Sequence, residues 1–141
     1  MSNLVIFDTS VFIDHLRTGC HQQRIELMNG LIRTSSVVLA ELWCAATKLE
    51  ERKFLESLEK NHPILTPTEN NWLDSGRILL RIRAEKGFTA NKLRELHFDV
   101  LIALTARSHG ARLITSDRTD FELISAYRKI QLEVWPAGAD F

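Results

Sequence analysis

The stretch LVIFDTSVFIDHL, residues 4–16, decides how the chain is read. Four apolar residues, Leu4 to Phe7, run straight into Asp8. A run this short and this apolar suits a strand buried on both faces of a sheet. Residues 10–16 then take on a helical pattern. A carboxylate therefore stands where a buried strand ends and a helix begins. Asp8 could simply cap that helix. The rest of the chain suggests a second use for it.

Working outward, the chain alternates strands with helices. Residues 21–29 suggest a short helix closed by Gly30, and residues 31–34 a weak strand. Residues 37–48 read as a strongly apolar helix, with Ser35 and Ser36 as capping candidates. Residues 50–60 are highly charged, with Phe54, Leu55 and Leu58 as an apolar stripe. Ile64 and Leu65, between two prolines, suggest a short strand. Residues 69–86 form a long amphipathic helix ended by Gly87. Residues 98–109 form another apolar helix ended by Gly110, followed by a strand at 112–115. Ile130, Leu132 and Val134 alternate with polar residues, as a half-exposed edge strand does. This alternation predicts an α/β fold, a three-layer α/β/α sandwich around a central, mostly parallel sheet. One domain over residues 1–141 is the economical division.

Composition narrows the class. The 141 residues are 45% apolar and 26% charged, with a formal net charge of zero. That describes a globular chain able to bury one core. The longest apolar runs, residues 42–46 and 100–104, fall far short of the ~20 residues a membrane span needs. Asp8 interrupts the N-terminal apolar run too early for a signal peptide. Cys20 and Cys44 lack the spacing of a zinc or redox pair. They read as free thiols of a reducing cytoplasm. With no net positive charge, an anionic substrate has to be held by local clusters or by metal ions.

Three more acids share the peculiarity of Asp8. Glu41 lies in SVVLAELWCAA, and its helical neighbours Val37, Val38, Cys44 and Ala45 are all apolar. Burying a carboxylate there is costly unless an arginine pairs with it or the helix edge opens to solvent. Asp99, in LRELHFDVLIALTA, has Leu96, Ile102 and Ala103 on its face, although a cap or first-turn position would also suit Asp. Asp117, in LITSDRTDF, follows the 112–115 strand, where a polar turn is ordinary. Asp120 is a candidate helix-start residue. Each acid has a bland explanation, but together they suggest a shared cause. Crowded carboxylates resist ionising together, and a bound divalent cation removes the conflict. Oxygen ligands suit Mg²⁺ or Mn²⁺, one ion or two. The predicted metal site is Asp8, Glu41, Asp99 and Asp117. The five histidines show no paired ligand spacing.

IFDTSVFID, VLAEL, FDVLIALTA and LITSDRTDF, in this order, resemble the PIN-domain nucleases, and within them the VapC-type toxins of toxin–antitoxin pairs. The resemblance covers nearly the whole chain. It implies a Mg²⁺- or Mn²⁺-dependent endoribonuclease whose acids are Asp8, Glu41, Asp99 and Asp117, with Asp120 assisting or replacing the last. Thr9, Ser10 and Thr115 match hydroxyl positions that orient carboxylates or metal-bound water. The implied reaction is phosphodiester hydrolysis leaving a 3′-hydroxyl and a 5′-phosphate. The implied partners are RNA, a small cognate antitoxin with an inserting helix, and a second copy in a homodimer. Ile25, Met28, Leu31 and Trp43 are apolar candidates for such surfaces, with core packing as the alternative.

Substrate grip is read from charge. Residues 77–94 carry six basic residues and one acid, Glu85. Arg77 with Asp74, and Arg81 with Glu85, have helical pair spacing and could serve a solvated face. Lys86, Lys92 and Arg94, flanking an expected loop, are the candidates for RNA contact. Two rival functions fit parts of the pattern: a phosphatase or phospho-acceptor signalling domain on a similar sandwich, and a non-catalytic RNA-binding relative. DTSVF lacks the second aspartate two positions on that the haloacid-dehalogenase pattern uses.

Overall fold

A computed structural model describes residues 3–28 and 30–137. The elements run β1 (Leu4–Phe7), α1 (Thr9–Thr18), α2 (Gln22–Leu27), β2 (Leu31–Ser35), α3 (Ser36–Ala45) and α4 (Leu49–Asn61). They continue β3 (Ile64–Leu65), α5 (Glu69–Lys86), α6 (Ala90–Ser108), β4 (Arg112–Thr115), α7 (Arg118–Tyr127) and β5 (Gln131–Val134). The five strands form one sheet in the order β3-β2-β1-β4-β5, and every neighbouring pair is parallel. Helices cover the sheet, which gives the expected three-layer α/β/α sandwich.

β1 is central, and Val5, Ile6 and Phe7 are all buried. The first half of the chain steps from β1 to β2 to β3. The chain then crosses back through α5 and α6 to β4 on the other side of β1 and steps outward to β5. The winding therefore reverses between β1 and β4. In parallel sheets, such a reversal opens a crevice beyond the carboxyl ends of the two strands. Asp8 follows β1 and Ser116 follows β4, so both chain ends enter this crevice.

Packing follows the sequence pattern. α1 contacts α3, which contacts α4; α5 contacts α6, which contacts α7. In α6 the run from Val100 to Ala106 is buried all round, as a helix lying deep in a core must be. α3 also touches α6, a contact that matters for the site.

Four expected boundaries shift. α6 begins at Ala90, eight residues before the expected start. Thr89 caps it by accepting a hydrogen bond from the Lys92 N–H at 3.2 Å. Leu93 and Leu96 extend the packed stripe toward that cap. Asp99 is consequently mid-helix, which removes its reading as a cap. Lys92 and Arg94 lie in the first turns of α6, and Lys86 and Lys92 flank the short connection at residues 87–89. α3 ends at Ala45, short of Lys48, because Lys48 is the N-cap of α4. α2 ends at Leu27, where Met28 turns extended; Asn29 lies outside the described residues, and Gly30 is no helix cap. A Cβ on Gly30 would sit 2.9 Å from both the Asn3 carbonyl oxygen and Val5 Cγ2, so glycine there lets the chain enter β2 against β1. Finally, residues 118–127, read only as a possible helix start, form α7, with Phe121 and Ile124 buried one turn apart.

Candidate metal centre

The crevice begins with Asp8. Its N–H still bonds the Ile114 carbonyl at 2.8 Å, so the β1–β4 ladder holds it in place. Its backbone then turns out as the N-cap of α1. The capping reading is correct for one oxygen. Asp8 Oδ2 accepts from Ser10 Oγ at 2.8 Å, from Ser10 N–H at 3.4 Å and from Thr115 Oγ1 at 2.9 Å. Those hydroxyls are themselves fixed: Ser116 N–H donates to Ser10 Oγ, and Asp117 N–H to Thr115 Oγ1. Asp8 Oδ1 is buried and has no hydrogen-bond partner among the described residues. A buried carboxylate oxygen without a partner is expensive. Burial pushes the Asp8 carboxyl up from its ordinary range, against the pull of Ser10 and Thr115.

Glu41 reaches the same region from α3. Ser35 at the end of β2 caps this helix through Val37 and Val38 N–H, which fixes where Glu41 emerges. Glu41 Oε1 accepts from Thr9 Oγ1 at 2.8 Å. No arginine or lysine is ion-paired with it among the described residues. It is half-buried, and desolvation, followed by the neighbouring Asp8 charge, raises its pKa.

Asp99 shows the crowding most clearly. Burial first, and then the charges of Asp8, Glu41, Asp120 and Asp117, together raise it to about 8. One acid from each of β1's end, α3, α6, β4's end and α7 is thus felt at a single carboxylate. Asp117 caps α7 by accepting from Asp120 N–H at 3.2 Å, and burial with the adjacent Asp120 raises it too. Oxygen atoms of Asp99, Asp117 and Asp120 lie within 4.8 Å of one another. Asp120, expected in support, stands in this inner group.

This donor set could hold a hard divalent cation. It offers only oxygen, it carries more negative charge than it can ionise alone, and Asp8 Oδ1 lacks a partner. A cation would supply the missing partner and reverse the sign of the repulsion. Thr9 bonds Glu41, and Ser10 and Thr115 bond Asp8.

The basic candidates divide. Lys92 Nζ lies 3.3 Å from Asp120 Oδ1, so it belongs to the cluster. Arg94 instead bonds Asn91 and lines a cavity of about 340 Å³ between α5 and α6. Lys86 ends α5. Neither is tied to the acids by a contact among the described residues. Arg81 pairs with Glu85 at 4.0 Å on an exposed face, as the solvated reading has it. Asp74, expected to serve Arg77, is held by both ends of the Arg128 guanidinium, at 2.7 and 2.9 Å. Cys20 and Cys44 are free. Leu31 and Trp43 are exposed, whereas Ile25 and Met28 pack against the core. The Lys92–Asp120 pair went unread in the sequence. The only signal for it was a lysine seven residues, two helical turns, before Asp99.

The family description "PIN domain" matches residues 5–127. The chain belongs to the PIN-domain family. Among solved structures, this PIN domain is similar to a chain of the DNA-bound VapBC of Salmonella typhimurium, at 21% identity and a TM-score of 0.71. That match covers 96% of this chain and 99% of the other. It is similar to a chain of a VapBC toxin–antitoxin family member from Mycobacterium tuberculosis, at 26% identity and a TM-score of 0.55, covering 95% and 98%. A sarcin–ricin-loop-cleaving VapC toxin of the same organism matches at 14% identity and a TM-score of 0.63, covering 90% and 97%. No curated protein matches the sequence significantly. Among the described residues, no helix is long and apolar enough to cross a membrane.

Proposed function

We propose that this PIN domain, spanning residues 1–141, is a Mg²⁺- or Mn²⁺-dependent endoribonuclease. In this reading it is the toxin of a VapC-type toxin–antitoxin pair and acts in the cytoplasm. The observation that carries the reading is the crowding at Asp99. Five acids converge there, and burial together with the four neighbouring charges holds the Asp99 carboxyl up at about 8. A protein has little reason to keep so costly an arrangement unless a cation completes it. The VapBC chains that share the fold support the toxin assignment. The cleavage named for one of them supports RNA as substrate.

The residues divide the work. Asp99, Asp117 and Asp120 form the inner oxygen set, and Asp8 Oδ1 is the fourth oxygen available to an ion. Glu41, held by Thr9, would take a proton from, or orient, the attacking water. Ser10 and Thr115 keep Asp8 Oδ2 occupied, which leaves Oδ1 without a partner. When bound, one or two divalent ions would polarise the phosphoryl oxygen, lower the pKa of water and stabilise the leaving oxygen. The acids alone would repel the phosphate. Hydrolysis would leave a 3′-hydroxyl and a 5′-phosphate. A small antitoxin with an inserting helix and a second copy in a homodimer complete the expected assembly.

The test is cleavage of mixed RNA by purified protein in Mg²⁺ or Mn²⁺, wild type against Asp8→Asn and Asp99→Asn. Both variants should lose at least ~100-fold in rate, and chelation should abolish wild-type cleavage. Cleavage at the wild-type rate by either variant refutes the assignment.

A further inference from the structure

Lys92 is the cation that the described residues bring to this cluster. Its ammonium stands 3.3 Å from Asp120 Oδ1, while Asp120 shares the 4.8 Å group with Asp99 and Asp117. Asp120 therefore has two competing claims on it: a lysine from the start of α6 and an ion held with the other two acids. We propose that Lys92 is an exchangeable counter-ion. It covers Asp120 while the site is metal-free, and it turns to a phosphate of the RNA strand once Asp120 serves the ion. The inference rests on the nuclease reading above and adds a coupling between the metal and RNA steps.

The local structure suits such an exchange. The Lys92 backbone is pinned, because its N–H donates to the Thr89 cap at 3.2 Å. Its four-carbon stem is left as the moving part. The side chain is 37% exposed and that of Asp120 is 20% exposed. The lysine end of the pair is open to solvent, which screens the attraction and leaves it replaceable. One ammonium also cannot answer the repulsion among five carboxylates, so the pair does not complete the site. Once a divalent ion neutralises Asp120, the attraction that held Lys92 is spent. A released ammonium beside the ion then faces whatever anion approaches it, and phosphate is the anion the reaction brings. Lys92 thereby becomes a contact to the substrate backbone, and its departure makes room for the ion. By linkage, RNA and metal each favour the other's binding through this residue.

The experiment uses the whole chain and two independent readouts. Mn²⁺ alone is titrated calorimetrically into wild type, Lys92→Met and Lys92→Arg. Lys92→Met should bind Mn²⁺ about two- to fivefold more tightly, since a partly exposed competitor has gone. The same gain should vanish when Lys92→Met is made in an Asp120→Asn background. Cleavage of a labelled mixed-sequence single-stranded RNA is then followed over a salt series at saturating Mn²⁺. Lys92→Met should raise KM about tenfold with kcat within about twofold, and its salt dependence should flatten by about 0.7 in log–log slope, one phosphate contact on a single strand. Lys92→Arg should keep the wild-type slope.

Unchanged or weaker Mn²⁺ binding in Lys92→Met overturns the exchange. An unchanged salt slope overturns the phosphate contact, and the proposal with it. A wild type that takes up no Mn²⁺ sinks the metal centre itself. A wild type that binds Mn²⁺ but cuts no RNA sinks the ribonuclease reading and, with it, the phosphate half of this one.

Discussion

Thr115 donates its hydroxyl hydrogen to Asp8 Oδ2 at 2.9 Å, across 107 positions of the chain. The same threonine oxygen accepts the Asp117 N–H at 2.9 Å. One hydroxyl at the end of β4 thus orients the acid that ends β1 and shapes the turn that presents Asp117. Thr115→Val keeps the volume and removes both bonds. Metal affinity should fall about 10- to 100-fold, as losses of such orienting bonds do. Stability should fall by about 1–3 kcal/mol, because buried polar groups lose their partners. Metal titration and denaturant unfolding of the same preparation check both.

Asp99→Asn should separate function from stability. The wild-type carboxyl is held at about 8 by burial and by four like-charged neighbours. An amide of the same shape carries none of that repulsion. In chelator at about pH 8 the variant should be more stable, by about 1–2 kcal/mol after allowance for relaxation around a partly exposed site. Mn²⁺ should then stabilise it much less than it stabilises wild type. Thermal melts with and without the ion give the answer. An Asp99→Asn protein less stable than wild type in chelator would show that the crowding is relieved in some other way.

The pH dependence of the metal-free protein follows from the same group. Asp99 titrates near 3.8 in the unfolded chain and at about 8 in the folded one. Between those values the folded state holds a proton that the unfolded state has lost. Stability in chelator should therefore be greatest at the acid end of this window and decline as pH rises toward about 8. Asp8, Glu41 and Asp117, all shifted upward, push in the same direction. Saturating Mn²⁺ should flatten the decline, and Mn²⁺ affinity should strengthen with pH as it stops competing with protons. Unfolding midpoints at several pH values, with and without Mn²⁺, measure the slope and its sign.

Gly30→Ala probes the fold away from the acids. The new methyl would meet the Asn3 carbonyl and Val5 Cγ2 at 2.9 Å, and the carbonyl belongs to backbone that cannot swing aside. A loss of about 1–3 kcal/mol is expected, with metal affinity per folded molecule unchanged. Denaturant midpoints and Mn²⁺ titration distinguish the two effects.

The parts of this molecule legible in sequence are those where one physical demand acts alone. β1 is read from four apolar residues because a central parallel strand has both faces buried. Glu41 and Asp99 stand out because a carboxylate among apolar helix neighbours has to be accounted for. The start of α6 was illegible for the opposite reason. Its first two turns are polar apart from Leu93 and Leu96, and the cap at Thr89 sets where the helix begins. A start placed at residue 98 also hides the partner of Lys92. The Lys92–Asp120 pair joins residues 28 positions apart, and no local pattern records it. Gly30 was read as a helix stop because glycine commonly serves as one; its close approach to β1 is a property of tertiary structure alone.

The site draws its first acid from position 8 and its last two from positions 117 and 120, while the hydroxyl that aims the first arrives at 115. During synthesis, then, Asp8 has only the local hold of Ser10 until Thr115 has been made. No fragment that stops short of β4 can assemble the cluster, so its acids come together only once β4 has paired with β1.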